Sequence, residues 1–92
     1  MGIVVRYNPV GVTGAMYDKI NARIQSTLDW PPEGLEFHVS FGNDGDLRVS
    51  EVWNSRGQWE AWAEQIMPIL VDENVQFAGD PDVFEVHNIE RP

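Results

Sequence analysis

The stretch LEFHVSFGNDGDLRVSEVW, residues 35–53, decides how the chain folds. From Leu35 to Phe41 it alternates, with Leu35, Phe37, Val39 and Phe41 on one side and Glu36, His38 and Ser40 on the other. That two-residue period belongs to a strand with one face buried. Asn43-Asp44-Gly45 then fits a three-residue hairpin loop in which Gly45 takes the left-handed position. With Gly42 opposite Asp46, Phe41 faces Leu47, Val39 faces Val49, His38 faces Ser50 and Phe37 faces Glu51, so the apolar sides of both strands coincide. A two-residue loop of Asp44 and Gly45 mismatches them.

Outward from this hairpin, Met1 to Tyr7 is short and β-branched and reads as a central strand, bounded by Asn8-Pro9 and Gly11. Thr13 is placed to cap a helix whose Tyr17, Ile20, Ile24 and Leu28 form one apolar stripe. Trp30-Pro31-Pro32-Glu33-Gly34 breaks that helix. Beyond the hairpin, Ser55 with Gln58 is a capping-box pattern for a second helix that carries Trp59, Trp62, Ala63, Ile66 and Leu70 on one side. Pro68 is expected to end its straight part near Ile66, since proline neither donates to nor clears the carbonyl four residues back. Residues 72–82 read as loop, and Val83 to Ile89 as a last strand. The order βαββαβ is the ferredoxin-like α+β fold: a four-stranded antiparallel sheet, strands one and three central, with both helices on one face.

An apolar share of 42% with four tryptophans is that of a folded chain, and 92 residues make one domain, residues 1–92. Without cysteine there is neither a disulfide nor a thiolate zinc site, so self-association is the remaining stabiliser for so small a core. A formal charge of −9 repels phosphates and anionic lipid, which speaks against nucleic acid and membrane as partners. The outward positions of the central strands, Val4, Arg6, Arg48, Ser50 and Val52, also lack the stacking aromatics of an RNA-binding sheet. The longest apolar run, Ile66 to Val71, is too short to span a bilayer, and no signal-peptide pattern opens the chain, so a cytoplasmic location is expected.

Glu36-x-His38 and Glu85-x-His87 each place a carboxylate and an imidazole on one strand face. The two strands are the opposite edges of the sheet, roughly 14 Å apart, too far for one metal ion to bridge, and no metal site is expected. His38 is either an acid–base group, since histidine titrates near neutrality, or a hydrogen-bonded residue of a polar strand face. Glu51 is the more unusual residue, because the register puts it on the helix-facing side between Val49 and Trp53. A carboxylate there has to be paired, and Tyr7 or a tryptophan indole are the available donors. It is then either a proton-transfer group in an aromatic pocket or a structural acceptor. Trp53, Trp59 and Trp62 are core residues or the wall of a cleft for a flat aromatic ligand.

Glu51-Val52-Trp53-Asn54-Ser55, followed by Trp59 and Trp62, resembles the E-x-W-x-S signature of the dimeric α/β-barrel superfamily, in particular its antibiotic biosynthesis monooxygenase-like branch. The resemblance implies a homodimer with two sheets packed face to face and ligands entering between sheet and helices. It implies a cofactor-independent monooxygenase or isomerase acting on a small aromatic or polyketide-like compound. The alternative is a non-catalytic binding module or accessory dimer. Glu51 and His38 are the catalytic candidates, and Tyr7, Phe37, Trp53 and Trp62 the ligand-binding ones, with no cofactor. Trp62 stands where many relatives carry a histidine, and the second helix has no histidine to hold iron, so haem degradation is not expected.

Overall fold

A computed structural model describes residues 2–92. The elements are β1 (Ile3–Tyr7), β2 (Pro9–Val10), α1 (Gly14–Thr27), β3 (Leu35–Asn43), β4 (Asp46–Trp53), α2 (Arg56–Asp72), β5 (Gln76–Phe77) and β6 (Asp82–Glu85). The main sheet runs β3-β4-β1-β6, every pairing antiparallel, so the expected first and third strands are central and the expected second and fourth are edges. Met1, read as the start of the first strand, lies outside the described residues. Among those residues no helix is long and apolar enough to cross a membrane.

Local chemistry sets the helix starts as expected. The Thr13 hydroxyl accepts from the Met16 amide at 3.1 Å, and that of Ser55 from the Gln58 amide at 3.2 Å, each satisfying a donor that has no partner inside its helix. The Gln58 side chain folds back over Gly34, where a Cβ would lie 2.3 Å from its Oε1, and Gly34 also has φ at +91°. Only glycine meets both conditions. The core forms where the stripes of the two helices meet the inner sheet face: Ile3, Val5, Trp53, Trp62 and Ile66 are buried, with Ile24, Leu28 and Trp59 packed against them.

The hairpin departs from the three-residue reading. Asn43 pairs with Asp46, which leaves Asp44 and Gly45 as a two-residue turn. Two contacts outside the hairpin favour this register. Asp44 Oδ1 accepts from the Gly14 amide at 2.7 Å, adding a second cap to α1, and the Leu47 amide donates to the Val12 carbonyl at 3.1 Å. The shorter turn exchanges the faces of β3. His38 now lies opposite Glu51 and Ser40 opposite Val49 on the helix side, while Phe37, Val39 and Phe41 point away from it. A bulge between Leu35 and Phe37 absorbs Glu36 and returns Leu35 to the core opposite Trp53. Phe37, expected in the ligand pocket opposite Glu51, is therefore 57% exposed on the outer face. In the last strand Val83 faces inward beside Val5, and Phe84 is outward and 54% exposed.

Two element boundaries also move. α2 continues through Pro68 to Asp72, because Pro68 lies on the exposed side, where water can serve the freed carbonyl, while Ile66 and Ile69 anchor both turns in the interior. The last strand stops at Glu85. The following segment bonds Val86 N to the Gly2 carbonyl and brings Arg91 to Glu36 on the opposite edge strand. Within the expected loop 72–82, β5 pairs with β2 and closes the end of the layer between sheet and helices.

Candidate functional site

Glu51 sits at an inward position of β4, between Val5 of β1 and His38 of β3, and is 3% exposed. Three donors converge on its carboxylate. Tyr7 Oη and Trp53 Nε1 donate to Oε1, each at 3.1 Å, and His38 Nδ1 lies 2.7 Å from Oε2. Trp59 Nε1 donates to Tyr7 Oη at 2.7 Å, which leaves the phenol proton directed at Glu51. An acceptor-only carboxylate completes this pattern, and it assigns the His38 proton to Nδ1. His38 Nε2 is then an acceptor, and Tyr17 Oη stands 2.6 Å from it. A continuous chain thus runs Trp59, Tyr7, Glu51, His38, Tyr17. Among the described residues no buried side-chain polar atom lacks a partner.

Aromatic rings fix the imidazole. Tyr17 stacks on it with centroids 6.1 Å apart at 26°, and Trp30 meets it edge-on at 6.0 Å and 86°. Trp30 rests in turn on Trp62 at 5.9 Å. Burial, followed by the Glu51 charge, raises the Tyr7 phenol far above its ordinary range, with the Trp59 hydrogen bond opposing. Tyr17 is raised as well, chiefly by burial, with the Ser40 hydroxyl opposing and the charges of Glu51 and Asp18 adding. Both phenols are therefore neutral donors at physiological pH.

A cavity of about 110 Å³ opens beside this chain, between the helices, the inner sheet face and the β2–β5 pair. Its wall is largely aliphatic, with Ile20, Ile24, Val49, Ile66 and Leu70, and it reaches Tyr7, Tyr17 and His38. Among the described residues no lysine or arginine lines it. The arrangement can accept a proton from a neutral ligand: a carboxylate-oriented imidazole, bonded at Nε2 to Tyr17, lines with that phenol an apolar space that favours an uncharged ring.

Of the residues singled out by sequence, Tyr7 and His38 line the cavity, and Glu51 lies behind them as their shared partner. Trp53 and Trp62 do not line it. Trp53 is fully enclosed in the core, where its indole serves Glu51, and Trp62 is 3% exposed beneath Trp30. Phe37 is on the far face of the sheet. Tyr17 went unrecognised as a site residue because it fits the apolar stripe of α1 equally well. The signal that could have found it is the Asp44-Gly45 pair, which as a two-residue turn puts His38 inward toward that helix.

No protein-family model matches the chain, and no curated protein matches it in sequence. Its architecture is nevertheless shared. Cofactor-independent oxygenase SnoaB from Streptomyces nogalater superposes with a TM-score of 0.62 over 96% of this chain and 93% of its own, at 14% identity. The fold is that of the antibiotic biosynthesis monooxygenase-like proteins. A candidate antibiotic biosynthesis monooxygenase from Deinococcus radiodurans shares this monooxygenase-like fold with a TM-score of 0.60 over all of this chain and 98% of its own, at 15% identity. So does a protein of unknown function from Nitrosomonas europaea, with a TM-score of 0.63 over 99% and 92% of the two chains at 14% identity. The monooxygenase-like fold thus agrees with the resemblance seen at Glu51 to Ser55.

Proposed function

We propose that this protein is a cofactor-independent oxygenase that deprotonates a small neutral phenol or enol and lets the resulting anion react with oxygen. The observation that carries the reading is the Glu51–His38 pair, whose imidazole lines the apolar cavity and whose second nitrogen bonds Tyr17, another residue of its wall. Glu51 holds the tautomer and stabilises the imidazolium formed on proton uptake, as a carboxylate does behind a histidine base. The anion gives electrons to dioxygen, a carbon–oxygen bond forms, the imidazolium returns its proton to the peroxide anion, and loss of water from the hydroperoxide leaves a carbonyl. One oxygen atom enters the product, the other leaves as water, and the substrate is itself the reductant. The shared fold with a cofactor-independent oxygenase supports this chemistry. So does the size of the space: about 110 Å³ suits a single ring and falls below the roughly 300–1,000 Å³ of pockets for drug-sized molecules.

A non-catalytic phenol-binding module is the second reading, and the same apolar cavity favours it. Incubation with a mixed library of aromatics, followed by mass measurement of what stays bound and of oxygen uptake, separates the two. One-ring phenols are expected to be retained, and oxygen to be consumed by wild type but not by His38→Gln. Retention without oxygen uptake identifies a binding module, and failure to retain any phenol removes both readings. We further infer that the chain works as a homodimer joined through its outer sheet face, which carries an uncovered apolar row.

A further inference from the structure

We propose that Tyr17 is the residue that takes the ligand's proton, passing its own to His38 Nε2, so that the base acts through a phenol relay. The inference rests on the proton-abstraction reading above and assigns its first atom. A neutral imidazole has one in-plane lone pair for a proton, and in this site Tyr17 Oη occupies it at 2.6 Å. Tyr17 and Trp30 also cover the ring from two directions. A ligand hydroxyl therefore reaches Nε2 directly only by displacing Tyr17. Tyr7 offers no alternative entry, since its proton is committed to Glu51 and the Trp59 indole already donates to its oxygen. Tyr17 differs in its acceptor: it lines the cavity and donates to His38 Nε2, and its oxygen keeps one lone pair beside the one that the Ser40 hydroxyl faces.

The transfer balances. The ligand O–H bond breaks and its proton bonds to Tyr17 Oη, while the original Tyr17 O–H bond breaks and that proton bonds to His38 Nε2. The electron pair stays on the ligand as a phenolate, and the positive charge rests on an imidazolium beside Glu51. Tyr17 is a neutral phenol before and after, in keeping with burial raising its pKa. The relay also selects its ligand: a hydroxyl on a ring small enough for the cavity, with no anionic group, because no cation there would neutralise one.

Para-nitrophenol tests this, because its neutral and ionised forms absorb differently. Bound to wild type, it is expected to ionise at a pH where the free compound is mostly neutral, the ratio of forms shifting by about tenfold or more. Tyr17→Phe keeps the ring and is expected to bind the probe within about threefold yet leave it neutral, as His38→Gln does. If Tyr17→Phe ionises the probe as fully as wild type while His38→Gln does not, the ligand meets His38 directly and the relay is wrong. If wild type leaves the bound probe neutral, the proton-abstraction reading itself fails. Should the Tyr17 variant not fold, nuclear Overhauser contacts in the wild-type complex decide: contact of the probe with the Tyr17 ring in its place over His38 supports the relay, and contact with the His38 ring with Tyr17 displaced overturns it.

Discussion

At the scale of single residues, Glu51 is asked to do two things: accept three hydrogen bonds and dictate the His38 tautomer. Glu51→Gln separates them. The amide oxygen of the glutamine can take the Tyr7 and Trp53 donors, but its NH₂ then faces His38 Nδ1, which must become an acceptor and send the proton to Nε2. The imidazole then has no free site for a substrate proton. The expected result is a folded protein that still binds phenols but turns them over about 10²–10⁴-fold more slowly, with the nitrogen chemical shifts of His38 reporting the changed tautomer. Wild-type turnover in this variant would remove the carboxylate from the mechanism. The tyrosines give a second residue-scale expectation, since both tyrosines of the chain, Tyr7 and Tyr17, belong to the site. Their folded pKa values lie above the ordinary 10.0, so above pH 10 the unfolded chain releases protons that the folded chain keeps. Stability is complete below that pH and falls as pH rises toward the folded values, by up to about 1.4 kcal/mol per pH unit for Tyr7 and less for the more exposed Tyr17. Tyrosinate absorbance should thus appear together with loss of near-UV circular dichroism, and its appearance near pH 10 in folded protein would contradict the enclosed phenols.

Among the elements, the β3–β4 hairpin decides where the chemistry sits, because one residue of register exchanges the two faces of β3. Alternation says that Phe37, Val39 and Phe41 share a side, and in the structure they do; it does not say which side. Matching apolar residues across the pair selects the longer loop only where the outer face is polar, and Phe37 and Phe84 make it otherwise. What sequence made legible were features with a local cause, such as the Thr13 and Ser55 caps and the break at Trp30-Pro31; the inward place of Glu51 holds although the register it was read from does not, because the alternation of β4 alone is enough to set it. The His38–Glu51 contact was hidden because it depends on tertiary bonds, Asp44 to Gly14 and Leu47 to Val12, that select the shorter turn. Gly42 next to this turn offers a test of the register. It has φ at +112°, and a Cβ there would lie 2.7 Å from the Asp46 carbonyl oxygen. Gly42→Ala is expected to cost about 1–3 kcal/mol, read from the denaturant midpoint, and to weaken the His38–Glu51 contact with it. An unchanged midpoint would mean that the hairpin takes a different turn in solution.

For the whole molecule, the proposed dimer rests on the outer sheet face. Cross-strand pairing aligns Phe37, Val52, Val4 and Phe84 into one apolar row that crosses all four strands, and the adjacent row holds Val39, Ser50, Arg6 and Asp82. An apolar band with polar neighbours on a face opposite the helices is the composition of an interface core with its rim. A second copy related by a two-fold axis is a fitting occupant, because such a row is complementary to itself and chains of this fold lay their helices on the other side. Four strands about 4.8 Å apart and some five residues deep present on the order of 300 Å² in projection, against roughly 800 Å² per partner in a stable complex. The hairpin beyond Phe41 and the segment that carries Arg91 to Glu36 therefore have to contribute. Each copy carries a formal charge of −9, so pairing brings like charges together, and added salt should tighten the dimer by screening them while leaving the apolar row untouched. Light scattering at tens of micromolar protein is expected to give a dimer mass. Val52→Lys, which sets an ammonium in the middle of the row, is expected to give a monomer whose melting temperature no longer depends on protein concentration. A wild-type monomer at that concentration would remove the homodimer, and a Val52→Lys variant that still dimerises would place the contact elsewhere.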